Sequence, residues 1–214
     1  MSENVVPGGY PDDDPIDPRE GLAIVAAQRR RVRDSIVDDR LVFGVWGIAW
    51  LVGYGAMWWS ADRSATSTAS GLGGLVFVGV AVTALVVTLV HIARATHGLA
   101  GTSSQVGAMY GWAWFMGFLG QGLVTAGVLR AGADAQVVAI VANGVAALVV
   151  GLLYMAGGAL WREASLFAVG AWMIATAGAA SLLPMPGGYL VMSVAGGGGM
   201  LAAAALTHVR RRRA

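Results

Sequence analysis

From Leu41 onward the chain alternates long apolar runs with short polar breaks. A bilayer core takes about 20 helical residues to cross. Six runs meet or approach that length: 41–60, 72–93, 106–129, 135–160, 166–183 and 189–207. The last two are the shortest, and Pro184-Met185-Pro186-Gly187-Gly188 between them reads as a tight turn. All six prolines fall outside the runs, so no span carries a proline kink. The pattern predicts an all-α integral membrane protein with six transmembrane helices, a transmembrane domain over 41–209 and a basic tail over 210–214.

The first 40 residues read differently. They hold nine of the twelve acids, and residues 1–16 add Pro7, Pro11 and Pro15 beside Gly8 and Gly9. Such a stretch buries too little apolar area to offset its ordering entropy, so 1–16 is expected to be a disordered acidic tail. Asp17-Pro18-Arg19-Glu20 resembles a helix start, with a capping Asp, a first-turn Pro and a Glu three residues on. Residues 17–40 are then expected to form a cytoplasmic or interfacial elbow helix. Arg29 and Arg33 interrupt its apolar side of Leu22, Val25, Val32 and Ile36.

Composition removes the soluble alternative. Hydrophobic residues make up 57% and charged residues 12% of the 214, against about 25% charged in ordinary soluble domains. No cysteine is present, so disulfides, thiolate metal sites and cysteine nucleophiles are excluded. All 14 basic residues are arginine. With the N-terminus inside, eleven of the thirteen from Arg29 onward fall on the cytoplasmic side, including Arg29, Arg30, Arg31, Arg33, Arg210, Arg211, Arg212 and Arg213, and only Arg63 and Arg130 face outward. The positive-inside rule therefore places both termini in the cytoplasm. The first and last arginine clusters are expected to set topology and to bind anionic lipid headgroups; next to a span they are not a nucleic-acid site. Arginine-only basic usage with abundant Ala, Gly and Val is similar to proteins of high-GC bacterial genomes. The expected location is the bacterial plasma (inner) membrane.

The odd spans share a local order. Ala49-Trp50-Leu51-Val52-Gly53, Ala113-Trp114-Phe115-Met116-Gly117 and Ala171-Trp172-Met173-Ile174-Ala175 each place a Trp between two small residues four apart. Ala49/Gly53, Ala113/Gly117 and Ala171/Ala175 are thus candidate helix-packing pairs. In the even spans His91, Tyr154 and His208 follow the Trp at separations of 41, 40 and 36 residues. The spacing suggests three tandem helical hairpins related by an axis along the membrane normal. His91, Tyr154 and His208 would then form a collar at the inner mouth; the plainer reading is three interfacial side chains.

Chemistry is sparse. The spans contain no Asp, Glu, Arg or Lys, which argues against proton coupling. Gln121, Thr125 and Asn143 are the strongest polar groups within them, and line either a solute path or an interhelical hydrogen-bond seam. Gly196-Gly197-Gly198-Gly199 in the sixth span is either an unwound solute site or a smooth packing face. There is no His-Glu-x-x-His, Gly-x-Ser-x-Gly or phosphate-loop motif, and Ser181 and His208 sit at opposite ends of their spans. No catalytic, cofactor or metal site is expected.

The expected function is therefore a non-enzymatic regulatory or assembly partner subunit of a membrane complex. The alternative is a small permease or channel. An elbow helix before six spans with both ends inside resembles an ABC-type permease subunit, which implies a cytoplasmic ATPase as partner. The short turn between the fifth and sixth spans departs from that class.

Overall fold

The computed structural model describes residues 21–22, 39–95 and 102–213, with the side chains of 21–22, 40–95 and 105–209. The chain divides into a unit of residues 1–36 and a unit of residues 37–214. Of the first, only Gly21 and Leu22 are described, and both are helical. The expected acidic tail, the body of the elbow helix with Arg29, Arg30, Arg31 and Arg33, and the side chains of Arg210 to Arg213 lie outside the described residues.

The second unit is all-helical among its described residues. In chain order it comprises α1 (Asp39–Asp62), α2 (Gly71–Ala95), α3 (Thr102–Arg130), α4 (Ala135–Trp161), α5 (Ala164–Ser181), α6 (Gly187–Val191), a π-helical turn (Met192–Gly197) and α7 (Gly198–Arg213). The last three run on as one sixth span, Gly187–Val209, so six helices are long and apolar enough to cross a membrane. We call the end holding the α1–α2 and α3–α4 turns distal, and the end where α1 begins and α7 finishes proximal.

The few charges outside the spans close helices. Asp134 caps α4, its carboxylate accepting from the amides of Gln136 and Val137, each at 2.9 Å. A carboxylate there meets the unpaired N–H groups and the positive end of the helix dipole. Arg162 ends α4 in the left-handed conformation, φ 55°, and Glu163 at once caps α5 through Ser165. The α5–sixth-span turn contains a cis Met185–Pro186 peptide and bonds from Gly187 N to Pro184 O and Tyr189 N to Pro186 O.

The helices neighbour one another in the order α2, α1, sixth span, α5, α4, α3. A closed ring of three hairpins would also need α2 on α3, but these share no extended contact, so the six helices form an open arc. The core lies along α1, the sixth span, α5 and α4, with Phe43, Tyr54, Met173, Met192 and Met200 almost fully buried. The peripheral helices are lipid-facing. None of the most apolar stretch of α3 and only 6% of that of α2 is buried.

Glycine governs the closest approaches. Along α4, Gly144, Gly151 and Gly158 repeat every seven residues, two helical turns, and all meet α5 or its approach. A Cβ on Gly151 would stand 2.8 Å from the Gly170 carbonyl oxygen, and one on Gly158 2.6 Å from the Phe167 amide nitrogen. A seven-residue repeat keeps one face turned to one neighbour over the whole crossing, and in lipid such small residues let backbones touch.

Candidate functional site

The glycine run of the sixth span is not unwound. The helix stays continuous through it, with a π-turn over Met192–Gly197. Three of the four glycines are seats for neighbours. A Cβ on Gly196 would stand 2.8 Å from the Trp50 ring, one on Gly197 2.6 Å from the Leu51 amide nitrogen, and one on Gly199 would overlap the Trp172 indole nitrogen. Gly198 has nothing within 4 Å. Around the π-turn, Trp172 Nε1 donates to the Ala195 carbonyl at 2.8 Å, and buried Ser193 donates through Oγ to the Leu51 carbonyl at 2.8 Å. The run is thus the contact of the sixth span with α1 on one side and α5 on the other.

Gln121 and Thr125 sit on the α3–α4 seam. Gln121 Nε2 donates to the Ala142 carbonyl and to Thr125 Oγ1, both at 3.1 Å. Thr125 returns its hydroxyl to the Gln121 carbonyl at 3.0 Å. They join two helices. The same face of α3 carries Tyr110, whose hydroxyl donates to the Leu153 carbonyl at 2.7 Å, and Gly117, against Val149.

Asn143 is placed differently. Its Nδ2 donates to the Ala139 carbonyl at 2.6 Å, one turn back on α4. The residue lines a crevice of about 410 Å³ at the distal end, together with Met57 of α1, Ala69, Ser70 and Gly74 at the start of α2, Leu129 of α3, and Tyr189. From Ala135 to Asn143 is eight residues, so the crevice floor lies about 12 Å along the axis from the start of α4. Beside the same Asn143 a water-sized cavity of about 10 Å³ reaches Ser181 and Met192. Ser181 Oγ donates to its own Ala177 carbonyl at 2.8 Å.

The rim is rich in hydroxyls. Ser64, Thr66 and Thr68 form a ladder with oxygens 2.9 and 2.7 Å apart, and Ser60 Oγ accepts from the Ser70 amide at 3.2 Å. Arg63, one of the two distal arginines expected, covers the Trp59 ring at 4.3 Å.

At the proximal end, Tyr154 is buried between Phe43 and Trp114, with ring centroids 6.0 and 5.5 Å away. His208 is exposed, with Nδ1 3.2 Å from Arg40 Nη1. A guanidinium has only donors, so Nδ1 is the acceptor. His91 is half-buried, on the stripe of α2 that faces α1 with Phe77, Ala84 and Thr88. Trp46 Nε1 donates to that Thr88 at 3.0 Å.

Of the small-residue pairs, Ala49 is buried and Gly53 lies against Phe77, across the α1–α2 contact. Gly117 meets α4, while Ala113, Ala171 and Ala175 are exposed. The α5 residues turned inward are Val169, Gly170, Met173, Thr176, Ala177 and Ala180. The heptad of α4 glycines, Ser193 and the rim hydroxyls were not singled out from sequence. The heptad was visible there as a plain period of seven; Ser193 was not, because its partner lies 142 residues away.

Among the described residues no group of three or more His, Cys, Asp or Glu could hold a metal ion. Comparison with protein-family models, curated proteins and solved structures gives no match. Fold and site together define a polytopic, all-helical membrane protein.

Proposed function

We propose that this protein is a non-catalytic partner subunit of a membrane complex, acting through lateral contact with another membrane protein. The observation that carries the reading is the isolation of α3. Among the described residues it makes extended contact with one helix, α4, and its Gly107, Gly111, Gly122 and Gly127 have nothing within 4 Å of a Cβ. Gly107 and Gly111 are four apart, the spacing that lets a second helix approach in lipid. Trp112, Phe115, Met116 and Leu119 flank them, more than 40% exposed each. The N-terminus-inside orientation, both termini cytoplasmic and anionic lipid bound by the arginine clusters, belongs to this reading, supported by the arginine distribution.

The test is purification of the full chain in mild detergent, with identification of what co-purifies at fixed stoichiometry. A second membrane subunit is the expected result, lost on Gly111→Leu. A lone chain or homo-oligomer at physiological expression would overturn the proposal.

The distal crevice favours a second reading, a small permease or channel, including a subunit of an ABC-type permease that recruits a cytoplasmic ATPase. A vestibule open at one end and floored by Asn143, with Tyr154, Phe43 and Trp114 packed together at the other, is the form of a one-sided access path. Solute flux in liposomes, abolished when Ala142→Trp fills the vestibule, distinguishes it from the first.

A further inference from the structure

We propose that the distal crevice is a binding site for a small, uncharged, lipid-soluble compound carrying a hydrogen-bond donor, an alcohol or an amide. At about 410 Å³ it has the size of ordinary ligand pockets. Among the described residues no side chain charged at neutral pH lines it, so a charged ligand would lose its hydration without compensation. Its walls are mainly apolar, with Met57, Leu129, Val138 and Tyr189 among them.

Besides the hydroxyls of Thr68, Ser70 and Tyr189, the floor supplies a carboxamide. Asn143 makes a single hydrogen bond, through Nδ2 to Ala139. No buried side-chain polar atom among the described residues lacks a partner. The Asn143 oxygen, which accepts no bond from those residues, is therefore accessible, on a side chain that lines both the crevice and the small cavity beside it. A carboxamide oxygen in apolar surroundings can accept from a neutral O–H or N–H without the desolvation cost that a charged donor would bring.

The position of the crevice says where the ligand comes from. Ser70 and Gly74 line it from the α2 side and Leu129 from the α3 side, and these two helices share no extended contact. The gap in the arc thus opens the crevice toward the bilayer as well as toward the distal rim. A compound dissolved in the distal leaflet enters between α2 and α3, donor end first, and stops at Asn143. The site stands whether or not a second subunit binds and whether or not anything crosses the membrane.

The probe is octanol carrying a photoactivatable diazirine, added to the full chain in phosphatidylcholine vesicles, with adducts mapped by peptide mass spectrometry. Label is expected on residues 68–74 and 129–143, displaced by excess plain octanol. Asn143→Leu, of similar volume but without the acceptor, is expected to raise the half-maximal probe concentration about fivefold, the worth of one hydrogen bond. Ala139→Trp, which fills the crevice, should abolish the site-confined label. If Ala139→Trp fails to fold, Asn143→Leu decides alone. Label spread over the lipid-facing sides of α2 and α3, not displaced by octanol, would overturn the proposal, as would confined label indifferent to Asn143→Leu.

Discussion

A Cβ on Gly197 would stand 2.6 Å from the Leu51 amide nitrogen and 2.9 Å from the Gly47 carbonyl oxygen, whereas one on Gly198 meets nothing within 4 Å. The four-glycine run is one feature in the sequence and several environments in the fold. Overpacking a tight seam costs about 1–3 kcal/mol, while replacing an open helical glycine by alanine gains up to about 1 kcal/mol. Gly197→Leu is therefore expected to lower the melting temperature in detergent and broaden the size-exclusion peak, and Gly198→Ala to hold or raise it. Equal effects of the two would contradict the seating of the run against α1. Trp172 and Trp50, at matching places in their spans, also part company. Trp50 is 5% exposed beside Gly196, while Trp172 is 51% exposed and held by its bond to Ala195. Sequence presents both as a Trp between small residues and cannot say which one turns inward.

At the scale of elements, helix ends were more legible than helix faces. Asp134 and Glu163 precede apolar runs in the position of N-caps, and both cap. That chemistry is local, complete within three residues. Faces depend on what lies across the seam. The α4–α5 seam uses Gly144, Gly151, Gly158 and Gly170, whereas Gly178 on the same α5 meets nothing. Gly151→Val is accordingly expected to destabilise the protein by about 1–3 kcal/mol, with Gly178→Val near neutral, measured as the shift in detergent-denaturation midpoint. Gln121 illustrates the same division. Its burial in an apolar run marks it as a group that needs a partner, but the Ala142 carbonyl as that partner follows only from how α3 lies on α4.

At the scale of the whole molecule, six spans put both ends of the transmembrane unit on one side, and the proposal that this side is the cytoplasm rests on the arginine distribution. The absence of native cysteine gives a clean background for checking this. Ser67→Cys, in the distal α1–α2 turn, is expected to react with a membrane-impermeant maleimide in intact cells. Ala164→Cys, at the exposed proximal start of α5, should react only after permeabilisation. The reverse pattern would invert the molecule and move the crevice to the cytoplasmic leaflet. The number of spans, their approximate limits, the helix caps and the lack of intramembrane charge were all set by the sequence itself. Each follows from transfer to lipid or from bonds within one helical turn. The order of helices around the arc, the unsealed α2–α3 gap, the use of each glycine and the crevice above Asn143 were decided by tertiary structure. Leu, Val and Ala facing lipid are chemically the same as Leu, Val and Ala facing a neighbouring helix, so hydropathy marks what enters the bilayer without marking what meets inside it.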